Sequence, residues 1–334
     1  SADVESLLLW HAANPDKKYL MKYADRREID YDNNVDKLEE LKSRSIISDK
    51  SRIVFVDDGS KDRTWELLQG FYQKNENIIA LRFAHNRGHQ NAILTGMMFA
   101  RAYCDYTITI DADLQQDIHA MELFIAEYVQ GSEIVYGVRN SRNTDGFFKR
   151  MSGTIFYKVM HFLGCNIYEN SADYRLMSVK ALEALAEYSE VNLFLRGIIP
   201  MVGYPSDFVY YERGERFAGE SKYPLKKMLA FAVEGITSLS IKPIRLITVL
   251  GFFIFLISII MLVYSFIRHF MGATIIGWTT LMVSIWATGG LILLSLGVVG
   301  EYIGKIYLET KGRPQYLVEK FLHDKAGEDV EKDE

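Results

Sequence analysis

Two long stretches without a charged side chain, Leu246 to Ile267 and Trp278 to Gly300, restrict this chain more than any other feature. At about 1.5 Å of rise per residue, a helix over the first spans roughly 33 Å, enough for a hydrocarbon core of about 30 Å. Small residues in the second, among them Ala287, Gly289, Gly290 and Ser295, allow close helix packing. The competing arrangement is a pair of buried helices in a soluble core, but such helices rarely run this long without a charge. The two stretches are therefore expected to form a membrane hairpin. Lys242, Arg245, Lys305, Lys311 and Arg313 flank its outer ends, whereas the connection offers only Arg268 and His269. By the positive-inside rule, both termini and the large preceding domain belong in the cytoplasm, on a plasma-membrane protein with two spans. The small-residue faces also suit a homo-oligomer, of a size the sequence does not fix.

The remaining composition narrows the function. Hydrophobic residues make up 49% of the 334, more than a soluble enzyme needs. A net charge of -5 argues against a nucleic-acid partner. Only two cysteines occur, Cys104 and Cys165, in segments that read as ordinary core or loop, which fits a reducing compartment. The apolar run Leu7 to Trp10 follows acidic residues and is too short for a secretory signal. Pro224 to Ser240 places Leu225, Met228, Leu229 and Ala232 at helical spacing beside Lys226 and Lys227, as an interfacial helix would. Met151 to Leu163 reads either as a second interfacial helix or as a core-packing one.

Upstream, strands alternate with helices. Arg52 to Val56 is a short apolar run ending at Asp57-Asp58-Gly59-Ser60. Ile78 to Phe83 leads into Asn86-Arg87-Gly88-His89-Gln90-Asn91 and a helix, and Tyr106 to Ile110 ends at Asp111-Ala112-Asp113-Leu114-Gln115. This alternation implies an α/β fold with a mostly parallel, Rossmann-like sheet, in which ligands bind beyond the carboxyl ends of the strands. All three polar clusters fall there.

Asp111 and Asp113, one residue apart at a strand end, can reach a single hard cation, Mg2+ or Mn2+, although the same spacing also serves a cap or a surface turn. Asp57 and Asp58 read as a turn or helix cap, or as acceptors for a base or ribose. Arg139, Arg142, Lys149 and Arg150 follow the strand-like Glu133 to Val138, and Arg213, Arg216 and Lys222 precede the interfacial segment. Either set can clamp phosphate or simply face solvent and anionic lipid.

Four ordered motifs then carry a resemblance: Val56-Asp57-Asp58-Gly59-Ser60, Asp111-Ala112-Asp113-Leu114-Gln115, Ala172-Asp173-Tyr174-Arg175-Leu176-Met177, and Arg216-Phe217-Ala218-Gly219-Glu220-Ser221-Lys222-Tyr223, followed by a membrane hairpin. Together they resemble the polyprenyl-phosphate glycosyltransferases of family 2, the GtrB-type and dolichyl-phosphate mannose synthase-like enzymes. The resemblance implies a GT-A fold and inverting transfer of a sugar from a nucleotide-diphosphate sugar to a polyprenyl (undecaprenyl) phosphate lipid, for cell-envelope glycan modification. The donor it implies is a UDP-sugar, glucose or N-acetylglucosamine, with GDP-mannose or an impaired membrane scaffold as alternatives. A processive polysaccharide synthase predicts a Gln-x-x-Arg-Trp signature, and none of the four tryptophans follows an arginine.

Carried over by motif, Asp57, Asp58 and Asp111 hold the nucleotide, and Asp111, Asp113 and Gln115 bind metal. Asp173 is the base or acceptor-orienting group, or else a structural partner of Arg175, and it stands with Asp113 as catalytic. Arg139, Arg142, Arg213, Arg216, Ser221 and Lys222 hold the acceptor phosphate. The expected layout is an atypical region over 1–50 with a degenerate first strand at Lys18 to Asp25, and a GT-A domain over 51–223. An interfacial helix over 224–245 and a hairpin over 246–300 follow, its spans at 246–267 and 278–300. Residues 301–334 form the tail.

Overall fold

A computed structural model describes residues 6–12, 33–111, 115–140, 158–165, 167–168, 171–191, 194–212, 233–271 and 277–323. The chain divides into two units: Ser1–Thr154 with Ile167–Lys222 and Pro314–Glu334, and Ile155–Asn166 with Tyr223–Arg313. This division differs from the expected layout in two places. Residues 155–166 group with the apolar helices, and of the expected tail, 301–313 group with those helices and 314–334 with the first unit.

The first unit is built on strands β1 (Ser6–Ala12), β2 (Arg52–Asp57), β3 (Ile78–Phe83), β4 (Tyr106–Asp111), β5 (Ile134–Arg139), β6 (Ser171–Ser178), β7 (Ser206–Tyr211) and β8 (Val318–Leu322), in the order β7-β5-β6-β4-β1-β2-β3-β8. The β4-β1-β2-β3 half is parallel, whereas β6 runs antiparallel to both β4 and β5, and β8 antiparallel to β3. The sheet is therefore mixed. Its parallel strands have helices on both faces, so they read as unbroken apolar runs; Ile53, Val54, Phe55 and Val56 are all buried. Helix α1 runs through residues 33–43, and α2 (Thr64–Lys74) turns Trp65, Leu68 and Phe71 onto the core. Helices α3 (His89–Ala100), α4 (Met121–Val129), α6 (Val179–Ala186) and α7 (Leu195–Met201), the last carrying Arg196, belong to the same unit.

The first strand is a correction. It lies at Ser6–Ala12, between β2 and β4 in the middle of the sheet, not at Lys18 to Asp25, which lies outside the described residues. The physical reason is legible afterwards: Leu7-Leu8-Leu9-Trp10 is the uncharged run a central parallel strand requires, and Lys18 to Asp25 carries three charges, Lys18, Lys22 and Asp25.

Helices α1 and α4 are tied by ions. The Glu122 carboxylate accepts from Lys37 Nζ at 2.6 Å and from both Arg44 Nη atoms at 2.7 and 2.8 Å. The guanidinium, and then the buried ammonium, pull the Glu122 carboxyl from its ordinary 4.5 down to about 2. Because the folded value is depressed, this contribution is complete above about pH 4.5 and is lost as pH falls toward 2. Glu122→Gln is therefore expected to lower stability by on the order of 1 kcal/mol at pH 7, since half-exposed Arg44 leaves the pair screened by solvent. Melting curves of the two proteins should converge below pH 4.5, and a gap that widens on acidification would contradict the assignment.

In the second unit, α5 covers residues 158–162 and α8 covers 233–239; α9 (Lys242–Phe270) and α10 (Trp278–Thr310) are the long apolar pair. Both contain windows long and apolar enough to cross a membrane, Lys242–Met261 at mean hydropathy 2.6 and Ala287–Thr310 at 1.6. Helix α10 does not stop at Gly300 but carries Lys305 within it. Two of the cations read as flanking charges are tethers. Lys242 Nζ donates to the Phe162 carbonyl at 2.9 Å, and Lys305 Nζ donates to the Glu234 carbonyl at 2.9 Å and the Ser238 hydroxyl at 2.7 Å. The break before α9 is pinned as well, because the Ser240 hydroxyl donates to the Leu163 carbonyl and the Tyr302 hydroxyl to the Ser240 carbonyl. Of the expected interfacial helices, residues 224–232 and 151–157 lie outside the described residues.

Candidate active site

The carboxyl ends of the parallel strands carry the acidic clusters. Asp57 closes β2 wholly buried; its Oδ1 accepts from the Ser60 amide at 2.9 Å. Its Oδ2 has no hydrogen-bond partner among the described residues, and Arg82 Nε stands 3.6 Å away. A buried carboxylate oxygen without a donor is costly unless a ligand supplies one. Asp58 is used differently. Its two oxygens accept from the backbone amides of Arg87, at 2.6 Å, and Gly88, at 2.9 Å, so it holds the loop that opens α3. Burial pushes the Asp58 carboxyl up, against these two donors.

Gly59 makes that turn possible. Its φ of +64° is left-handed, and a Cβ there would stand 2.6 Å from the His85 carbonyl carbon and 2.8 Å from the Asn86 nitrogen. Gly59→Ala should therefore cost at least about 1–2 kcal/mol from backbone conformation alone, with the collision added. The Asp58 clamp should loosen with it, which a fall in melting temperature together with weakened nucleotide binding would report; an unchanged Tm would count against the strain.

Asp111 ends β4. Gln116 grips it twice: Asp111 N donates to Gln116 Oε1 at 2.9 Å, and Gln116 Nε2 donates to Asp111 Oδ2 at 2.8 Å. Gln115, singled out in the sequence, is buried. Asp113 lies outside the described residues, as do Arg142, Lys149, Arg150, Arg213, Arg216, Ser221 and Lys222.

Antiparallel pairing of β4 and β6 sets Thr109 against Arg175, and continuing that register puts Asp111 across from Asp173. The Thr109 hydroxyl donates to the Asp173 carbonyl, which fixes the strand at this point. Asp173 is buried among cationic groups. Arg175 Nη2 donates to its Oδ1 at 2.7 Å, Arg196 Nη2 to its Oδ2 at 2.8 Å, and His89 Nε2 lies 3.0 Å from Oδ2. Burial alone would raise this carboxyl, but Arg196, His89 and Arg175 together hold it well below the usual carboxylate range. The same His89 nitrogen is 3.7 Å from Asp111 Oδ1, so one imidazole spans the two acidic clusters. Desolvation would lower the His89 pKa, but the two carboxylates outweigh it and raise the value. Arg139 ends β5, and its buried Nε has no partner among the described residues.

Sequence reasoning missed Gln116, Arg196 and Arg82. Arg196 left the clearest signal, as the single charge in the apolar run Phe194 to Ile199, a position where a charge needs a partner. Gln116 and Arg82 left none, because their partners are chosen by loop path and strand pairing.

Comparison with known proteins follows the same outline. The model of "Glycosyl transferase family 2" matches residues 36–186, and that of "GtrB C-terminal hairpin" matches 242–306. The chain is 49% identical over 286 residues to a glycosyltransferase of Bacillus subtilis (strain 168) named YkoT, covering 86% of this chain and 85% of the relative. It is 38% identical over 270 residues to the SfII prophage-derived bactoprenol glucosyl transferase of Shigella flexneri, covering 80% and 87%. A third relative, the prophage bactoprenol glucosyl transferase homolog of Escherichia coli (strain K12), is 36% identical over 86% of this chain and 92% of its own length. With the hairpin match and two helices long and apolar enough to span, the protein is membrane-associated. The chain belongs to the family 2 glycosyltransferases, with a GT-A catalytic unit and a GtrB-type C-terminal hairpin.

Proposed function

We propose that the enzyme transfers glucose from UDP-glucose to a polyprenyl phosphate, with inversion, at the cytoplasmic face of the plasma membrane. The observation that carries this reading is the similarity to bactoprenol glucosyl transferases, which runs through both the acidic site and the hairpin. Lys311 and Arg313, which follow α10, support a cytoplasmic catalytic unit.

In this reading the unpartnered oxygen of Asp57 accepts from the nucleotide, and Asp58 shapes the loop beside it. Asp111 and Asp113 would hold Mg2+ or Mn2+. Mg2+ keeps waters and substrate phosphates among its ligands, so one or two carboxylates suffice on the protein side. When bound, the ion would neutralise charge on the departing diphosphate. The acceptor is already a phosphate with a second pKa near 6, if it behaves as other phosphomonoesters do, so a strong base is not required. Asp173, kept ionised by Arg196, His89 and Arg175, is poorly suited to take a proton and well suited to fix Arg196 and His89 beside Asp111. We assign it to positioning. Arg139, with Arg142, Arg213, Arg216, Ser221 and Lys222, would orient the acceptor phosphate toward the anomeric carbon.

The test is purified full-length protein in nanodiscs with undecaprenyl phosphate, Mn2+ or Mg2+, and a panel of UDP- and GDP-sugars, read by mass spectrometry of the lipid. A glucosylated lipid formed from UDP-glucose and absent in Asp113→Ala is the expected result. A product from another donor alone would redirect the donor assignment, and none from any donor would overturn the reading.

A further inference from the structure

Strand β8 follows the apolar hairpin in sequence and lies in the first unit at the edge of the sheet beside β3. Its pairing there is irregular: Arg82 opposes Lys320, but Phe83 opposes Val318, leaving Glu319 as the extra residue of a β-bulge. In an unbroken ladder successive side chains alternate between faces, so Glu319 and Lys320 could not both serve the Arg82 side. A bulge re-aims one side chain, and here the Glu319 carboxylate lies 3.7 Å from Arg82 Nε. The bulge is held in place on its N-terminal side. Tyr316 stacks on Phe83 at 5.3 Å, the Ala84 amide donates to the Leu317 carbonyl at 3.1 Å, and Gln315 Nε2 donates to the Glu190 carbonyl at 2.6 Å.

Arg82 is the link to the site. Its Nη2 donates to the Ser60 carbonyl at 3.1 Å, its Cζ lies 5.8 Å from the Trp65 ring, and its Nε stands almost equally far from Asp57 Oδ2, at 3.6 Å, and Glu319, at 3.7 Å. Neither separation is a hydrogen bond. The guanidinium is thus balanced between a buried carboxylate and a half-exposed one. Without the outer charge, it would be drawn the last few tenths of an ångström onto Asp57 and would occupy the oxygen left open there.

We propose that Glu319 is a positioning residue for the donor pocket: from the post-hairpin strand it restrains Arg82 and so keeps Asp57 Oδ2 available to the nucleotide. This inference rests on the reading of Asp57 as a nucleotide ligand, and the experiment separates the two. Full-length protein in detergent is titrated with UDP and Mn2+ by calorimetry, and kcat and KM for UDP-glucose are measured alongside, for parent, Glu319→Gln, Glu319→Asp and Asp57→Asn. Glu319→Gln is expected to weaken UDP binding and raise KM about five- to tenfold with kcat within twofold and Tm unchanged, and Glu319→Asp to recover part of the loss. If Asp57→Asn abolishes UDP binding while Glu319→Gln binds within twofold of the parent, the role of Glu319 is overturned. Equal losses in kcat and kcat/KM together with a lower Tm would also overturn it, because they mark a merely structural strand. If Asp57→Asn binds UDP as the parent does, the nucleotide assignment itself fails.

Discussion

Asparagine in place of Asp173 is expected to lower kcat by at least about 100-fold, in a protein that is also less stable. The electrostatic argument is direct. Asp173 is the carboxylate shared by Arg175, which is only 2% exposed, by Arg196 and by His89. Removing its charge leaves a buried guanidinium uncompensated, a change that typically costs about 3–5 kcal/mol. Arg196 and His89 lose the group that orients them, and a displacement of about 1 Å near reacting atoms can cost about 100-fold. Because the carboxyl is held well below its usual range in the folded protein, its contribution is complete above the ordinary value near 3.8 and is lost as pH falls through the folded value. The Tm gap between parent and variant should therefore persist down to about pH 4 and shrink below it. Lipid product measured at a temperature where both proteins are folded separates catalysis from stability. Near-parental turnover there would remove Asp173 from the site.

The second large effect is expected at Asp111. An asparagine can keep the clamp by turning its carbonyl oxygen toward Gln116 Nε2. That leaves an amide NH2 where the carboxylate would have met a cation. The fold should therefore survive, with Tm close to that of the parent in the absence of metal, while kcat falls about 100- to 1000-fold, the scale for losing a charge-stabilising group. Linkage supplies a readout independent of turnover: Mn2+ with UDP should raise the parent's Tm, since ligands that bind only the folded state stabilise it, and should leave Asp111→Asn nearly unmoved. A variant stabilised by Mn2+ and UDP as strongly as the parent would rule out Asp111 as a metal ligand.

Much of the architecture could be read from the chain. The apolar runs of β2, β3, β4 and β5 matched the observed strands to within a residue or so, because strands covered on both faces cannot alternate with polar residues. The hairpin was legible because hydrocarbon thickness fixes a length that few soluble helices share. The acidic clusters were legible as neighbours because parallel topology brings the carboxyl ends of strands to one edge. Strand β1 was passed over although its run Leu7 to Trp10 is apolar, since four apolar residues do not by themselves distinguish a strand, and pairing with β2 and β4 decides it.

The order of strands, acidic turns and apolar helices along the chain is written in local patterns of burial. Which charges meet is settled by the way those elements pack. Asp173 finds Arg196 and His89 through an antiparallel register, Gln116 turns back onto Asp111, and Glu319 reaches Arg82 through a bulge in a strand more than two hundred residues away. These contacts join residues far apart in sequence or depend on the path of one loop. Hydrophobic periodicity specifies which face of an element is buried, but the partner of a buried charge is set by strand register, which one residue of slip would reverse.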